Sequence, residues 1–198
     1  MRVLAVVLVL GAVGQAAAAS WEGNLSAAWY ALPDEEDFVQ PTLRVDRERL
    51  HLETRYNYED RHATSLFLGA NFAWGQEETL ALTPMLGVLF GDTDGVVPGL
   101  ETDFTAGRFE AYGEAEYVVD LDDGASSYFY LWSELSWWPS ERWRTGLVAQ
   151  RTRAHDTDRD IQRGLLVGVS FRRLEGSLYL FNPGSDDHFA VVSFGLGF

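Results

Sequence analysis

The chain has 198 residues, with 30 acidic against 15 basic side chains, a formal net charge of −15 and no cysteine. Such acidity leaves nothing to neutralise a run of phosphates, which argues against a nucleic-acid partner, and the absence of thiols excludes disulfides and thiolate metal sites. Every basic residue is arginine, a side chain suited to bidentate contacts with phosphate or carboxylate, and 14% of the residues are aromatic.

The N-terminus reads as an export leader. Met1-Arg2 is a short positive segment, Val3–Leu10 is apolar, and small residues follow up to Ala17-x-Ala19, a cleavage pattern. The apolar run is too short to span a bilayer as a helix. Cleavage after Ala19 leaves one domain, 20–198, of about 179 residues, and takes Arg2 with it, so the charge falls by one to −16. No later window holds eighteen uninterrupted apolar residues, so insertion into a membrane must use strands.

Twelve strands are predicted in chain order: Asn24–Leu32, Val39–Asp46, Leu50–Glu59, Thr64–Trp74, Thr79–Phe90, Val97–Thr105, Phe109–Leu121, Ser127–Trp138, Trp143–Arg153, Gln162–Arg172, Ser177–Phe181 and Phe189–Phe198. Most have the length that crosses a bilayer at a tilt. In the third, Leu50, Leu52, Thr54, Tyr56 and Tyr58 alternate with His51, Glu53, Arg55, Asn57 and Glu59. The seventh opposes Glu110, Tyr112, Glu114 and Glu116 to Phe109, Ala111, Gly113, Ala115 and Tyr117. Pro84 stands mid-strand, where a closed sheet has no edge to absorb a missing donor. Thr83-Pro84 is therefore expected to form a bulge or kink, and a full break there would reduce the count to ten.

The last strand carries the most specific signal. Ala190, Val192, Phe194, Leu196 and the terminal Phe198 form one apolar face against the small residues Ser193, Gly195 and Gly197. A closing strand that ends on an aromatic residue resembles the Gram-negative outer-membrane β-barrel superfamily. The resemblance implies an all-β, antiparallel, up-and-down transmembrane barrel with both termini in the periplasm, and it implies residence in the outer membrane, lipid and lipopolysaccharide neighbours and dependence on the barrel-assembly machinery. Phe198 becomes the residue that closes and helps assemble the barrel. The predicted connections agree: Pro33–Phe38, Asp60–His62, Gly91–Val96, Asp122–Ser126, His155–Ile161 and Asn182–His188 are generally longer and rich in Asp, whereas the alternate ones are short. Outward-facing aromatics fall at two levels, Trp74, Phe109, Trp137, Trp143, Phe171 and Phe198 at one and Trp29, Tyr56, Tyr58, Phe90, Tyr117 and Phe129 at the other, as membrane girdles do.

The polar face then becomes the lumen. It holds Asp46, Glu53, Glu59, Glu101, Asp103, Glu110, Glu114, Glu116, Asp120 and Glu134 with Arg44, Arg55, Arg144 and Arg172, so acids exceed arginines. Tyr112, Tyr128, Tyr130, Trp132 and Trp138 face the same way. Two readings stand. The charges fill the interior as salt bridges, or they line a narrow, cation-preferring pore. Two other classes remain open, an enzyme acting on outer-leaflet lipid and a surface binding or adhesion barrel. For the enzyme, Asp60, His62 and Ser65, and Ser185, Asp186, Asp187 and His188, are the sets an acyl-transfer triad could draw on. Neither has a diagnostic spacing. Asp92-Thr-Asp94, Asp122-Asp123 and Asp156-Thr-Asp158 lack the later acidic ligands of a calcium loop. No nucleotide, redox-cofactor or resident-metal motif is found, and the sequence leaves the oligomeric state open.

Overall fold

The computed structural model describes residues 20–33, 36–121, 127–154 and 160–198. The predicted leader, the Asp122–Ser126 connection and most of the His155–Ile161 connection lie outside the described residues. Within them the chain forms twelve antiparallel strands: β1 (Glu22–Ala31), β2 (Phe38–Arg47), β3 (Leu50–Tyr56), β4 (Thr64–Ala70 continuing as Phe72–Gly75), β5 (Glu78–Phe90), β6 (Gly95–Ala106), β7 (Phe109–Asp120), β8 (Tyr128–Trp137), β9 (Trp143–Ala154), β10 (Asp160–Phe171), β11 (Leu174–Phe181) and β12 (Phe189–Gly197). Each strand pairs with its neighbours in sequence, and β12 pairs with β1 from Gly197↔Asn24 to Ala190↔Ala31. The sheet therefore closes on itself and leaves no edge.

Closure is completed at the very end of the chain. Gly23 N–H donates to Phe198 O at 3.0 Å and Phe198 N–H donates to Gly23 O at 2.9 Å. A Cβ on residue 23 would lie 2.3 Å from the Phe198 ring, so any larger residue there would displace that ring from its place across β1.

Pro84 neither breaks nor bulges the sheet. Gly69 pairs with Met85 and Phe72 with Leu82, a spacing of three residues on both strands, so the register is continuous across the gap. A bulge would have placed an extra residue on one side. Only the ladder bridges at Ala70 and Asn71 are lost, beside the proline that has no N–H to give. Asn71 is held there by its backbone N–H to Arg49 O (2.8 Å) and by its side-chain amide, which donates to Asp46 (2.6 Å) and accepts from Thr83 (2.7 Å). The strand count stays at twelve, and β11 runs eight residues rather than the predicted five.

The two ends differ. At one, the hairpins β2–β3, β6–β7 and β10–β11 turn in two residues, and the first turn residue (Glu48, Gly107 or Arg172) has φ between 55° and 60°. Positive φ at that position matches the right-handed twist of the flanking strands. The connections at the other end are generally longer. The β9–β10 link and parts of two others there fall outside the described residues.

The inside-out polarity of a membrane barrel is explicit. Leu66, Leu68, Leu86, Val88, Leu135, Leu147 and Leu165 are 48–59% exposed on the outer face, whereas Arg55 and Glu114 are 1% exposed within. A water-soluble barrel would show the reverse. Two rings of exposed aromatics flank the aliphatic band: Trp74, Phe109, Trp137, Trp143, Phe171 and Phe198 at the short-turn end, and Trp29, Tyr56, Phe90 and Tyr117 at the long-loop end. Tyr58 does not belong to the second ring. Strand β3 ends at Tyr56, and Asn57 at φ 56° rotates the chain so that Tyr58 enters the lumen. Arg172 is likewise not lumenal; it is exposed in a turn, its guanidinium 5.4 Å from the Phe171 ring.

Candidate functional site

The lumen is built around Arg55, which β3 projects into the middle of the barrel. Its Nε donates to Glu53 at 2.7 Å, and its Nη1 faces Glu114 at 2.8 Å, Glu116 at 2.7 Å and Glu59 at 3.4 Å. Arg44 on the adjacent strand bonds Glu53 at 3.0 Å and Glu101 at 2.5 Å. Tyr112 ties the two arginine sites together by its hydroxyl, which lies 3.1 Å from Glu101 and 2.8 Å from Glu114. Sheet geometry explains the convergence. Arg44 and Glu53 are register partners on β2 and β3, Glu101 and Glu114 are partners on β6 and β7, and the two walls face one another across the lumen. Five carboxylates thus share two guanidinium groups, and buried charge in excess of its partners is costly.

A second, smaller network lies nearer the short turns. Arg144 donates to Glu134 at 2.9 Å, to Ser177 at 3.0 Å and to Tyr179 at 3.3 Å, while Trp132 and Tyr179 also donate to Glu134 at 2.9 Å each. Between the networks is a cavity of about 360 Å³. Its lining reaches the short-turn rim, where Asp103, Glu110, Trp138 and Glu175 are half-buried, and extends up to Tyr30, Tyr58 and Trp132. The arginines on its wall are engaged. The rim carboxylates are not neutralised to the same degree: Glu110 accepts from Trp138 at 3.0 Å and stands 3.8 Å from Arg144, and Asp103 accepts only a 3.4 Å bond from Thr105.

The long-loop half of the lumen is filled. Tyr30, Trp132, Val148, Leu166, Tyr179, Phe181, Phe189 and Val191 pack as one cluster, and Ala63, Phe67, Met85, Leu89, Val97 and Val118 pack as another. Rings run in near-continuous contact from Phe38 through Tyr30 and Phe189 to Phe181, Trp132 and Tyr179, with centroid separations from 4.7 to 6.5 Å. Val97 and Val118, in the second cluster, are 0% exposed.

Of the residues predicted to line the lumen, Arg44, Glu53, Arg55, Glu101, Glu114 and Glu116 meet in the central network, Glu134 and Arg144 in the second, and Asp103 and Glu110 at the rim. Tyr58 and Glu175 were missed. Glu175 follows from strand parity once β11 begins at Leu174, but Tyr58 required knowledge of the reversal at Asn57. The ligand atoms of His51, Glu53 and Glu101 lie within 4.8 Å of one another, a spacing that could suit a metal ion. Arg44 and Arg55 already occupy the carboxylates, and His51 bonds Asp46 at 2.9 Å, so the chemistry of the donor set favours hydrogen bonding over coordination. The two catalytic sets are not assembled. Ser65 points inward to Glu59 at 2.8 Å while His62 points outward to Asp92 at 3.1 Å. His188 Nδ1 lies 2.9 Å from the Ser185 carbonyl, and the Ser185 hydroxyl donates to Asn182 O.

The chain is similar in structure to solved outer-membrane porins. A KdgM porin superposes with a TM-score of 0.57 at 7% identity, over 89% of this chain and 98% of that one. The shared fold is a closed antiparallel β-barrel. A KdgM porin in complex with disordered oligogalacturonate gives 0.58 at 7% identity, with the same two coverages, and a NanC porin gives 0.54 at 7% identity, also over 89% and 98%. Neither a family profile nor a curated protein sequence matches the chain. At these identities the likeness is one of backbone fold alone.

Proposed function

We propose that the protein is a narrow, cation-preferring conduit in the outer membrane of a Gram-negative bacterium, exported by its leader and oriented with the short turns toward the periplasm. The observation that carries this reading is the sign of the lumen. Along its length Glu110, Asp103, Glu134, Glu101, Glu53, Glu114, Glu116 and Glu59 are set against Arg44, Arg55 and Arg144. A column of carboxylates between low-dielectric walls attracts cations and repels anions. An acidic sugar polymer such as the oligogalacturonate named with the KdgM porin would meet repulsion here. The Asp-rich long loops would face lipopolysaccharide, bridged to it by divalent ions.

A second reading, a structural barrel that passes nothing, is favoured by the filled long-loop half. Conductance of the purified protein in planar bilayers under a salt gradient separates the two. A small current whose reversal potential reports cation preference, and which loses that preference in a Glu110→Gln/Glu114→Gln/Glu116→Gln variant, supports the conduit. Silence of a correctly folded protein over a range of voltages supports the structural barrel.

A further inference from the structure

The β3–β4 connection is divided between surface and lumen: His62 stays exposed, facing Asp92, while other residues enter the barrel. Tyr58 and Glu59 turn inward. The Tyr58 ring lies 4.2 Å from the Arg55 guanidinium and packs edge-on against Tyr130 at 5.9 Å. Ala63 is 0% exposed in the cluster that fills the long-loop half. Asn57 and His62, at φ 56° and 57°, hold the ends of the excursion in the left-handed region, a conformation that non-glycine residues adopt at a cost.

The carboxyl of Glu59 has an unusual neighbourhood. From β3 it faces Arg55 Nη1, from β4 the Ser65 hydroxyl, which donates to its Oε1, and from β7 the carboxylates Glu114 and Glu116; from β8 the Tyr128 hydroxyl donates to its own backbone carbonyl. Three carboxylates therefore converge on one nitrogen of one arginine. The side chains of Glu59 and Glu116 are 0% and 1% exposed, and the Oε2 atom of each has no hydrogen-bond partner. A buried, fully ionised set of this composition is unfavourable, and a proton on a carboxyl relieves it.

We propose that Glu59 is a proton-operated latch: as the neutral acid it holds the β3–β4 loop inside the lumen, and on losing its proton it is repelled by Glu114, so that the loop swings out and uncovers the packed half. The latch rests on the conduit reading, since it regulates that lumen. Burial raises the Glu59 carboxyl above the usual carboxylate range, against the lowering influence of Arg55 and Ser65. The sign follows from this. The closed state is favoured below the ordinary carboxylate range and is lost as pH rises through the raised value.

Two measurements on the full-length mature chain in lipid test it. The protein has no cysteine, so Val118→Cys, at a site packed in the same cluster as Ala63, gives a single reporter for a membrane-impermeant maleimide. The labelling rate of Val118→Cys divided by that of Val118→Cys/Glu59→Gln cancels the intrinsic pH dependence of the thiol. That ratio is expected to rise with pH, at most about tenfold per unit for a single proton. A ratio that stays flat between about pH 5 and about pH 9, for a variant that still folds, overturns the latch. Channel recording over the same range is expected to show open probability rising with pH in the native chain and remaining low in Glu59→Gln. A current that is present but indifferent to pH and to Glu59→Gln also removes the latch while leaving the conduit. A rising labelling ratio without current keeps the latch and removes the conduit.

Discussion

Phe181, at the end of β11, and Phe189, at the start of β12, lie with ring centroids 4.7 Å apart and planes 9° from parallel, closing the long-loop half of the lumen from one side. The loop between them brings together two rings that are eight positions apart in sequence. Because Trp132 meets Phe181 and Tyr30 meets Phe189, the pair is the middle of the ring column. Phe181→Ala together with Phe189→Ala removes that middle and leaves a void that water can enter from the cavity below. The expected result is a clear rise in conductance in planar bilayers with a retained, heat-modifiable barrel on gels. Each truncation costs about 3–5 kcal/mol in a closed core, so unfolding in lipid should also shift toward lower denaturant. An unchanged current in a folded double variant would place the constriction elsewhere.

Arg55 should be more sensitive to replacement than any single acid around it. Arg55→Met keeps much of the volume but leaves Glu53, Glu114 and Glu116 buried without their shared cation. Stranding buried charge in this way costs about 3–5 kcal/mol. Glu116→Gln removes one of several acids that compete for Arg55 and is expected to be close to neutral. Denaturant unfolding in vesicles followed by tryptophan fluorescence checks the order, and equal losses for the two variants would count against a charge-limited core.

Pro84→Ala is expected to leave the barrel intact. The unbroken register between β4 and β5 means that no kink depends on the ring. A restored ladder bond contributes about 0.5–1.5 kcal/mol, and the greater freedom of the unfolded chain takes back about 0.4–1 kcal/mol. A stability change much larger than about 1 kcal/mol in either direction would contradict this account.

Closure makes a separate prediction. Deletion of Phe198 removes both backbone bonds to Gly23 and one ring of the short-turn girdle. Gly23→Leu keeps the terminus but drives a side chain into the Phe198 ring. Both changes are expected to lower the yield of folded barrel in the membrane, with the deletion the more severe. Neither should alter the ion selectivity of the molecules that do fold, because both residues lie outside the lumenal networks.

Local chemistry decided much of this protein before any tertiary contact was known. Period-two alternation in stretches such as Leu50–Tyr56 and Phe109–Tyr117 sets strand and face together, because a side chain on a pleated strand has only two directions to take. The aromatic rings and the apolar run of the last strand told which face meets lipid, and parity alone put Arg44, Glu53, Arg55, Glu101, Glu114, Glu116, Glu134 and Arg144 in the lumen. What parity cannot supply is distance across the barrel. That Arg55 meets Glu114 and Glu116, some sixty positions away, follows from the stagger and closure of the whole sheet. Nor can alternation survive a residue that leaves the β region. Asn57 turns Tyr58 inward, and so converts a predicted girdle tyrosine into lumen, beside Glu59, which parity had already placed there. The effect of Pro84 was also a tertiary matter, since an uninterrupted register on both sides absorbs one missing donor. The sequence by itself determined a lipid-facing, acid-lined barrel, because side-chain direction is a local property of the strand. Only the tertiary structure decided that side chains pack the lumen toward the long loops and where its charges meet, because those depend on which strands face each other across a closed sheet.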